Sequence, residues 1–535
     1  MQNDSQRSRR KFLKTAGIAA TYTPLLLTGC GIRKLPSSIN APSLQNLPQI
    51  THGIQIGDVI TDKAIIWSRA DRPTRMLLKY SFNADFSDAQ LIEGPLALAE
   101  TDYTAKLDLS HLPAGKPVFV EVMFQDLNNP ELISRSAHGQ FKTAPTTTQN
   151  IRFLWSGDTC GQGWGINPDI GGMTIYETMR VTQPDFFIHC GDNIYADSPI
   201  KPEVVTETGV VWHNLVTPEV SKAAETLNEF RGRYKYNLLD DNLRRFNAEV
   251  PVIWLWDDHE VTNNWSPTKD LKSDNRYTEK NINTLISNGT KAAMEYAPMR
   301  YFTTKDKQRI YRQCAYGPLL DIFVLDMRSY RAGNSFNRQT QAGPDTVYLG
   351  QEQLQWLKTA LKNSKAVWKV MAADLSLGLQ IGDGEDEQNR PRFENVANGD
   401  SPPLGREFEI AELLSFIKQE NINNLVWFTA EVHYCAALYY EPSHATFKDF
   451  TPFWEFISGP LNAGSFGTHA LDNTLSPQII FEKPSPTPNL SPLSGLQYFG
   501  QVDINSQDQS MTVALKDMKG STLFTQILHP QSDVI

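Results

Sequence analysis

Phe186-Phe187-Ile188-His189-Cys190-Gly191-Asp192-Asn193-Ile194-Tyr195 is a short, almost unbroken apolar run that stops at a glycine and an acid. A run of this length and composition reads as a strand buried on both faces, the habit of parallel sheets. The same grammar recurs along the chain. Phe153-Leu154-Trp155-Ser156-Gly157 leads into Asp158-Thr159-Cys160, and Val252-Ile253-Trp254-Leu255-Trp256 leads into Asp257-Asp258-His259-Glu260. Val370-Met371-Ala372-Ala373 leads into Asp374, and Leu425-Val426-Trp427-Phe428-Thr429-Ala430 leads into Glu431-Val432-His433. Helical stretches at 222–247, 281–296 and 351–362 separate the runs. Strands alternating with helices make this part of the chain α/β.

The acids follow the strands, and in α/β sheets ligands bind just beyond the carboxyl ends of strands. One Asp there would be a cap or a turn residue. Several carboxylates gathered in a cleft of low dielectric repel one another severely, and a bound polyvalent cation relieves that repulsion. A metal site is therefore expected from the pattern alone. Few histidines stand among these acids, which argues against a dizinc site. A phenol (Tyr195) and a thiol (Cys160) suit a transition ion such as Fe³⁺. The excess of oxygen donors suits a hard ion such as Ca²⁺.

Upstream, residues 53–142 show short alternating runs such as Pro117-Val118-Phe119-Val120-Glu121-Val122, parted by turn residues. They predict a small β-sandwich of about a hundred residues. Residues 144–148 read as a linker, 382–405 as a long polar loop, and 498–504 and 511–515 as late strands. Residues 31–48 are rich in Ser, Pro and Asn and read as a tether.

Before the tether, Arg9-Arg10-Lys11-Phe12-Leu13-Lys14 precedes a weakly apolar stretch that ends Leu27-Thr28-Gly29-Cys30. A basic segment, a short apolar segment and small residues before a cut describe an export signal. The pattern resembles a twin-arginine signal joined to a lipoprotein cleavage box, which would leave Cys30 as a lipid-bearing N-terminus. Removing residues 1–29 takes the formal charge from −10 to −14. No apolar run is long enough to span a membrane. The acidic balance and the lack of a basic run exclude a nucleic-acid-binding module. Hydrophobic residues at 40% and charged residues at 21% are globular usage. Five cysteines is an odd number, so at least one stands outside any disulfide.

The motifs Ser156-Gly157-Asp158-Thr159-Cys160, Gly191-Asp192-Asn193-Ile194-Tyr195-Ala196-Asp197 and Trp256-Asp257-Asp258-His259-Glu260 through Trp265 together resemble the alkaline phosphatase D (PhoD-like) family of metallophosphatases. Leu325-Asp326-Met327-Arg328-Ser329-Tyr330-Arg331, Glu431-Val432-His433-Tyr434 and Phe456-Ile457-Ser458-Gly459-Pro460-Leu461 resemble it too.

The resemblance implies an α/β (α+β) fold, a metallophosphatase-type two-sheet β-sandwich flanked by helices, preceded by a small fibronectin-III-like β-sandwich. The implied division is a signal at 1–29, a tether at 30–49, a β-sandwich at 50–145 and a catalytic domain at 150–535. It also implies one iron with one or two calcium ions. Asp158, Cys160, Tyr195 and His433 would serve the iron, Asp192 would be shared, and Asp258 and Glu431 would face calcium. His259 would contact the phosphoryl oxygens or protonate the leaving alcohol. Asp374, Asp257, Asn193 and Arg328 are further candidates for metal or phosphate.

The implied activity is hydrolysis of phosphate mono- or diesters by a metal-bound hydroxide, in an exported monomer anchored as a lipoprotein in the periplasm or at the cell surface. The twin-arginine export machinery would be a partner. Two alternatives stand beside it: a phosphodiesterase acting on cell-envelope or lipid-derived polymers, and a non-catalytic envelope-binding lipoprotein.

Overall fold

A computed structural model of the chain describes residues 46–302 and 308–531. The export signal and the lipidation at Cys30 lie outside the described residues. Seven strands come first: β1 (Ile50–Gly57), β2 (Lys63–Ala70), β3 (Thr74–Ser81), β4 (Gln90–Ala97), β5 (Thr104–Ser110), β6 (Pro117–Asp126) and β7 (Ala137–Lys142). Then follow β8 (Ile151–Ser156), α1 (Ile175–Arg180), β9 (Phe186–Cys190), the hairpin β10 (Glu203–Val205) and β11 (Val211–His213), α2 (Leu227–Asn237), α3 (Asp241–Glu249), β12 (Val252–Leu255) and α4 (Ile282–Tyr296). Beyond them come β13 (Arg312–Ala315), β14 (Leu320–Val324), α5 (Gln351–Asn363), β15 (Trp368–Ala372), the hairpin β16 (Gly382–Glu385) and β17 (Pro391–Phe393), and α6 (Glu407–Gln419). The chain closes with β18 (Leu425–Thr429), β19 (Cys435–Tyr440), β20 (Phe453–Ile457), β21 (Gln478–Lys483), β22 (Tyr498–Ile504), β23 (Met511–Asp517) and β24 (Thr522–Leu528).

Two large sheets face each other. One is nine-stranded in the order β24-β23-β22-β8-β9-β12-β1-β2-β5, and the other is seven-stranded in the order β13-β14-β15-β18-β20-β19-β21. Their inner faces meet through aromatic rings. Trp155 of β8 lies 4.4 Å from Phe428 of β18, and Phe153 meets the same ring edge-on at 5.7 Å. In the seven-stranded sheet the side chains alternate as a pleat demands. Ile322, Val324, Val370, Ala372, Val426 and Phe428 face the other sheet. Phe323, Met371, Ala373 and Trp427 face a second core that contains Leu354 and Leu357 of α5 and Leu413 and Leu414 of α6. Strands buried on both sides explain the unbroken apolar runs in the sequence.

The core strands are parallel: β8 with β9, β9 with β12, β14 with β15, and β15 with β18. All therefore deliver their carboxyl ends, and the acids that follow, to the same end of the sandwich.

The leading β-strands enclose a core of their own, with Ile56, Ile66, Leu78 and Val122 in it, and also join the larger sheet. β3, β4, β6 and β7 form a four-stranded sheet, while β1, β2 and β5 extend the nine-stranded one. The junction is the parallel pairing of Gly57 with Val252. A Cβ at Gly57 would stand 2.2 Å from the Pro298 carbonyl and 2.7 Å from that of Val252, so only glycine permits this approach.

Two stretches differ from their reading in the sequence. The helical region 222–247 is two helices, because the Asp240 side chain accepts the Asn242 and Leu243 amides, both at 2.9 Å, and caps a new helix. The polar segment 382–405 holds the hairpin of β16 and β17, and its Glu394, Asn395 and Asn398 are wholly buried. No helix among the described residues is long and apolar enough to cross a membrane.

Candidate metal centre

Loops that leave the strand ends put the acids together by unusual backbone turns. Asp158 after β8, Asp192 after β9 and His433 after β18 all have left-handed backbones, with φ of 62°, 52° and 59°. Such conformations cost non-glycine residues energy and persist where the surroundings enforce them. Here the enforcement is visible. The Asp158 carbonyl accepts the amides of Leu461, Asn462 and Ala463 at 3.1–3.2 Å, and the Asp192 carbonyl accepts the Thr159 amide at 2.9 Å. Glycines make room: a Cβ on Gly191 would strike Asp257, and one on Gly459 would strike the Asp158 carboxylate.

Three overlapping groups of donors result, each with its ligand atoms within 4.8 Å of one another: Asp158, Asp192, Glu431 and His433; Asp192, Asp258 and His259; and Asp192, Asp257, Asp258 and Glu431. Asp192 belongs to all three. Both oxygens of Asp158, one each of Asp192, Asp257 and Asp258, and Oε2 of Glu431 are buried with no hydrogen-bond partner. Unpaired buried oxygens are costly, and a cation shared among them satisfies them all. Burial and mutual repulsion push the carboxyls of Asp158, Asp192, Asp257 and Glu431 well above the usual range. Burial opposes the charge on Asp258 as well, but His259 and Arg328 outweigh it and hold that carboxyl low. The donor set thus fits metal ions.

His433 is prepared as a ligand. Its Nδ1 donates to the Gly464 carbonyl at 2.6 Å, which leaves Nε2 bare, 3.1 Å from the Tyr195 hydroxyl and 3.6 Å from Asp158 Oδ1. Burial depresses its pKa to about 4, so it is neutral. Burial, with Asp192 and Asp158, pushes the Tyr195 phenol up, so the phenolate needs a cation beside it. Cys160 is buried and its thiol, also pushed up by burial, donates to the Trp164 carbonyl at 3.3 Å. It stands outside the three donor groups. All four cysteines among the described residues are free and buried.

His259 is wired differently. Nδ1 lies 2.5 Å from Asp197 Oδ1, and Nε2 lies 3.9 Å from Asp258 Oδ1. Burial would depress it, but Asp197 and Asp258 outweigh burial and raise it to about 9. Asp197 is itself held by the Asn263 amide at 3.1 Å and by Arg276 at 2.8 Å. The Asn193 amide is already committed: its Nδ2 donates to the Leu255 carbonyl at 2.8 Å and to Glu260 at 3.0 Å. Asp374 and Arg328 lie one layer further in, with Arg328 Nε 2.6 Å from Asp257 and 3.2 Å from Asp374.

Three residues with structural weight are absent from the site residues read in the sequence. Glu260 accepts the amides of Asp257 at 2.8 Å, Asn193 at 2.6 Å and Asp192 at 3.3 Å, and so ties two of the acid loops together. Asp197 orients His259. Glu394 pairs with Arg328 from the segment read as a loop. For Asp197 and Glu260 a signal was present, since both stand inside the quoted motifs.

The PhoD-like phosphatase family matches residues 153–515, and the PhoD-like phosphatase N-terminal domain matches residues 37–145. Alkaline phosphatase D of Bacillus subtilis is 26% identical over 505 residues, covering 89% of this chain and 79% of that protein. A solved structure of PhoD superposes with a TM-score of 0.67 at 19% identity, covering 91% of this chain and 90% of that one. A purple acid phosphatase from yellow lupin (Lupinus luteus) seeds superposes with a TM-score of 0.56 at 12% identity, over 90% of this chain and 74% of that one. At those identities the two structures bear on the fold alone.

Proposed function

The chain belongs to the PhoD-like phosphatase family, and from that premise we propose that it hydrolyses phosphate esters at the acid cluster, with an iron ion and one or two calcium ions as cofactors. The observation that carries the reading is Asp192, common to all three donor groups, amid buried oxygens that lack any protein partner.

In this reading Asp158, Tyr195 and His433 would hold the iron, with Cys160 as a further ligand once its thiol is free of the Trp164 carbonyl. Asp192, a member of all three donor groups, would serve more than one ion. Asp258 and Glu431 hold calcium, with Asp257 beside them. When bound, the ions acidify an attacking water and offset charge that develops on the phosphoryl oxygens. His259, protonated and oriented by Asp197, hands its Nε2 proton to the departing alkoxide. The protein is exported by the twin-arginine route, held at the membrane by lipid on Cys30, and acts as a monomer in the periplasm or at the cell surface. The motifs in residues 1–30 support the export and anchoring.

Asp192→Asn tests the centre. The expected outcome is a loss of about a hundredfold or more on p-nitrophenyl phosphate and bis-p-nitrophenyl phosphate, with a lower metal content by mass spectrometry. Wild-type rates in the variant would overturn the reading.

A further inference from the structure

Behind the donor groups stands a second acid pocket that already contains a cation from the chain itself. Arg328 leaves the loop after β14, and its side chain is completely buried. The loop is fixed by Asp326, whose Oδ1 accepts the Arg328 amide at 3.0 Å, the Ser329 amide at 2.9 Å and the Trp256 indole at 3.0 Å. The guanidinium is thereby aimed at three carboxylates. Nε meets Asp257 Oδ1 at 2.6 Å and Asp374 Oδ2 at 3.2 Å, Nη2 meets Asp257 again, and Nη1 meets Glu394 Oε1. Glu394 is held in turn through its backbone, whose carbonyl accepts from Arg331 Nη1 at 2.9 Å.

Each of the three acids gives one oxygen to Arg328. The second oxygen of each, Asp257 Oδ2, Asp374 Oδ1 and Glu394 Oε2, is buried without a partner. The three carboxylates share the Arg328 guanidinium, with Arg331 behind Glu394, and the free oxygen of each acid still lacks a partner. Their oxygen atoms are the kind that a hard divalent ion accepts. Asp257 is the hinge between the two regions, because it also belongs to the group with Asp192, Asp258 and Glu431.

We propose that Arg328 is a built-in cation of the centre: its guanidinium fills the pocket of Asp257, Asp374 and Glu394 and thereby limits the number of metal ions the centre takes up. Arginine suits the role because it is charged at every working pH and presents a rigid fork of donors to carboxylates. It is a positioning residue: it touches Asp257 directly and reaches the rest of the centre through that carboxylate and through its charge on Asp258. The inference rests on the reading of the neighbouring acids as a metal centre.

The test counts ions. The full chain and its Arg328→Met variant are stripped with a chelator, dialysed against graded calcium chloride, and assayed for bound calcium by mass spectrometry, with circular dichroism as the check on folding. Arg328→Met is expected to bind one more calcium ion per chain than wild type, and Arg328→Lys to return to the wild-type count. Glu394→Gln, with Arg328 in place, is expected to keep that count. An unchanged count in Arg328→Met overturns the proposal, and so does a variant that stays unfolded at every calcium concentration, since an ion would then not replace the guanidinium. Loss of an ion in Glu394→Gln also overturns it, by making Glu394 a ligand. A wild-type chain without calcium would count against the calcium reading of the centre, while one ion gained by Arg328→Met over that baseline would still support the built-in cation.

Discussion

His433 and His259 commit their ring nitrogens in opposite ways, and that difference separates their chemistry. His433 spends its Nδ1 proton on a carbonyl and offers a bare Nε2, as a metal ligand must. His259 has a carboxylate at Nδ1, which stabilises the doubly protonated ring. Asp197→Asn removes that charge while keeping the side chain's shape. The pKa of His259 is then expected to fall from about 9, and the alkaline limb of the pH–rate profile to move to lower pH. An approximate hundredfold drop in kcat should accompany the shift, since the orientation of the ring is lost as well. Steady-state rates between pH 6 and 10 check both effects, and an unmoved alkaline limb would remove His259 from the role of acid. The acids at strand ends were legible in the sequence because each follows an apolar run. Asp197, Glu260 and Glu394 act by orienting other groups, and orientation leaves no spacing rule in a sequence.

Strands were easier to recognise than their neighbours. The runs that end at Asp158, Asp192, Asp257 and Glu431 are buried on both faces, so their composition alone marks them. α6 was missed because it opens directly out of the polar segment 382–405, and the buried Glu394 and Asn395 there look like surface residues until Arg328 and the Ile381 amide are seen to bind them. The joining of the leading strands to the larger sheet was hidden for another reason: it rests on contacts distant in sequence, the pairing of positions 57 and 252, the Arg312–Asp58 ion pair and the Trp67 indole on the Glu295 carbonyl. Gly57→Ala tests that junction. The added methyl group would press on two backbone carbonyls that have no flexible side chain to move. A loss of about 1–3 kcal/mol is expected by urea unfolding. A stability within about 0.5 kcal/mol of wild type would show that the approach between β1 and β12 has room for a side chain.

Taken as one molecule, the chain buries more carboxyl groups than its own cations offset, and this makes its stability depend on pH and on metal together. Burial and mutual repulsion raise Asp158, Asp192, Asp257 and Glu431, and at a distance from them burial and Asp472 raise Glu407 to about 9. A raised carboxyl binds a proton more tightly in the folded chain than in the unfolded one. Its contribution is complete below the unfolded value near 4 and is lost as pH climbs to the folded value. The buried His52 and His189, depressed by burial to about 3, act with the opposite sign only below their unfolded value of 6.5. Lys106, depressed by burial to about 7, opposes the acids above that pH as one group against several. Between pH 7 and 9 Glu407 and His259, each raised to about 9, both lose stability as pH rises and together outweigh Lys106. The chelated chain is expected to lose roughly 1.4 kcal/mol per pH unit for each excess proton it holds. Calcium should flatten the slope, because an ion in the centre replaces the protons on its ligands. Glu407→Gln should flatten it by about one proton whether or not metal is present, since Glu407 lies outside the donor groups. Guanidinium unfolding at pH 7, 8 and 9, in chelator and in calcium, measures all three slopes. A slope that calcium leaves unchanged would mean that no ion displaces protons from the acids of the centre, and the electrostatic case for metal would fall with it.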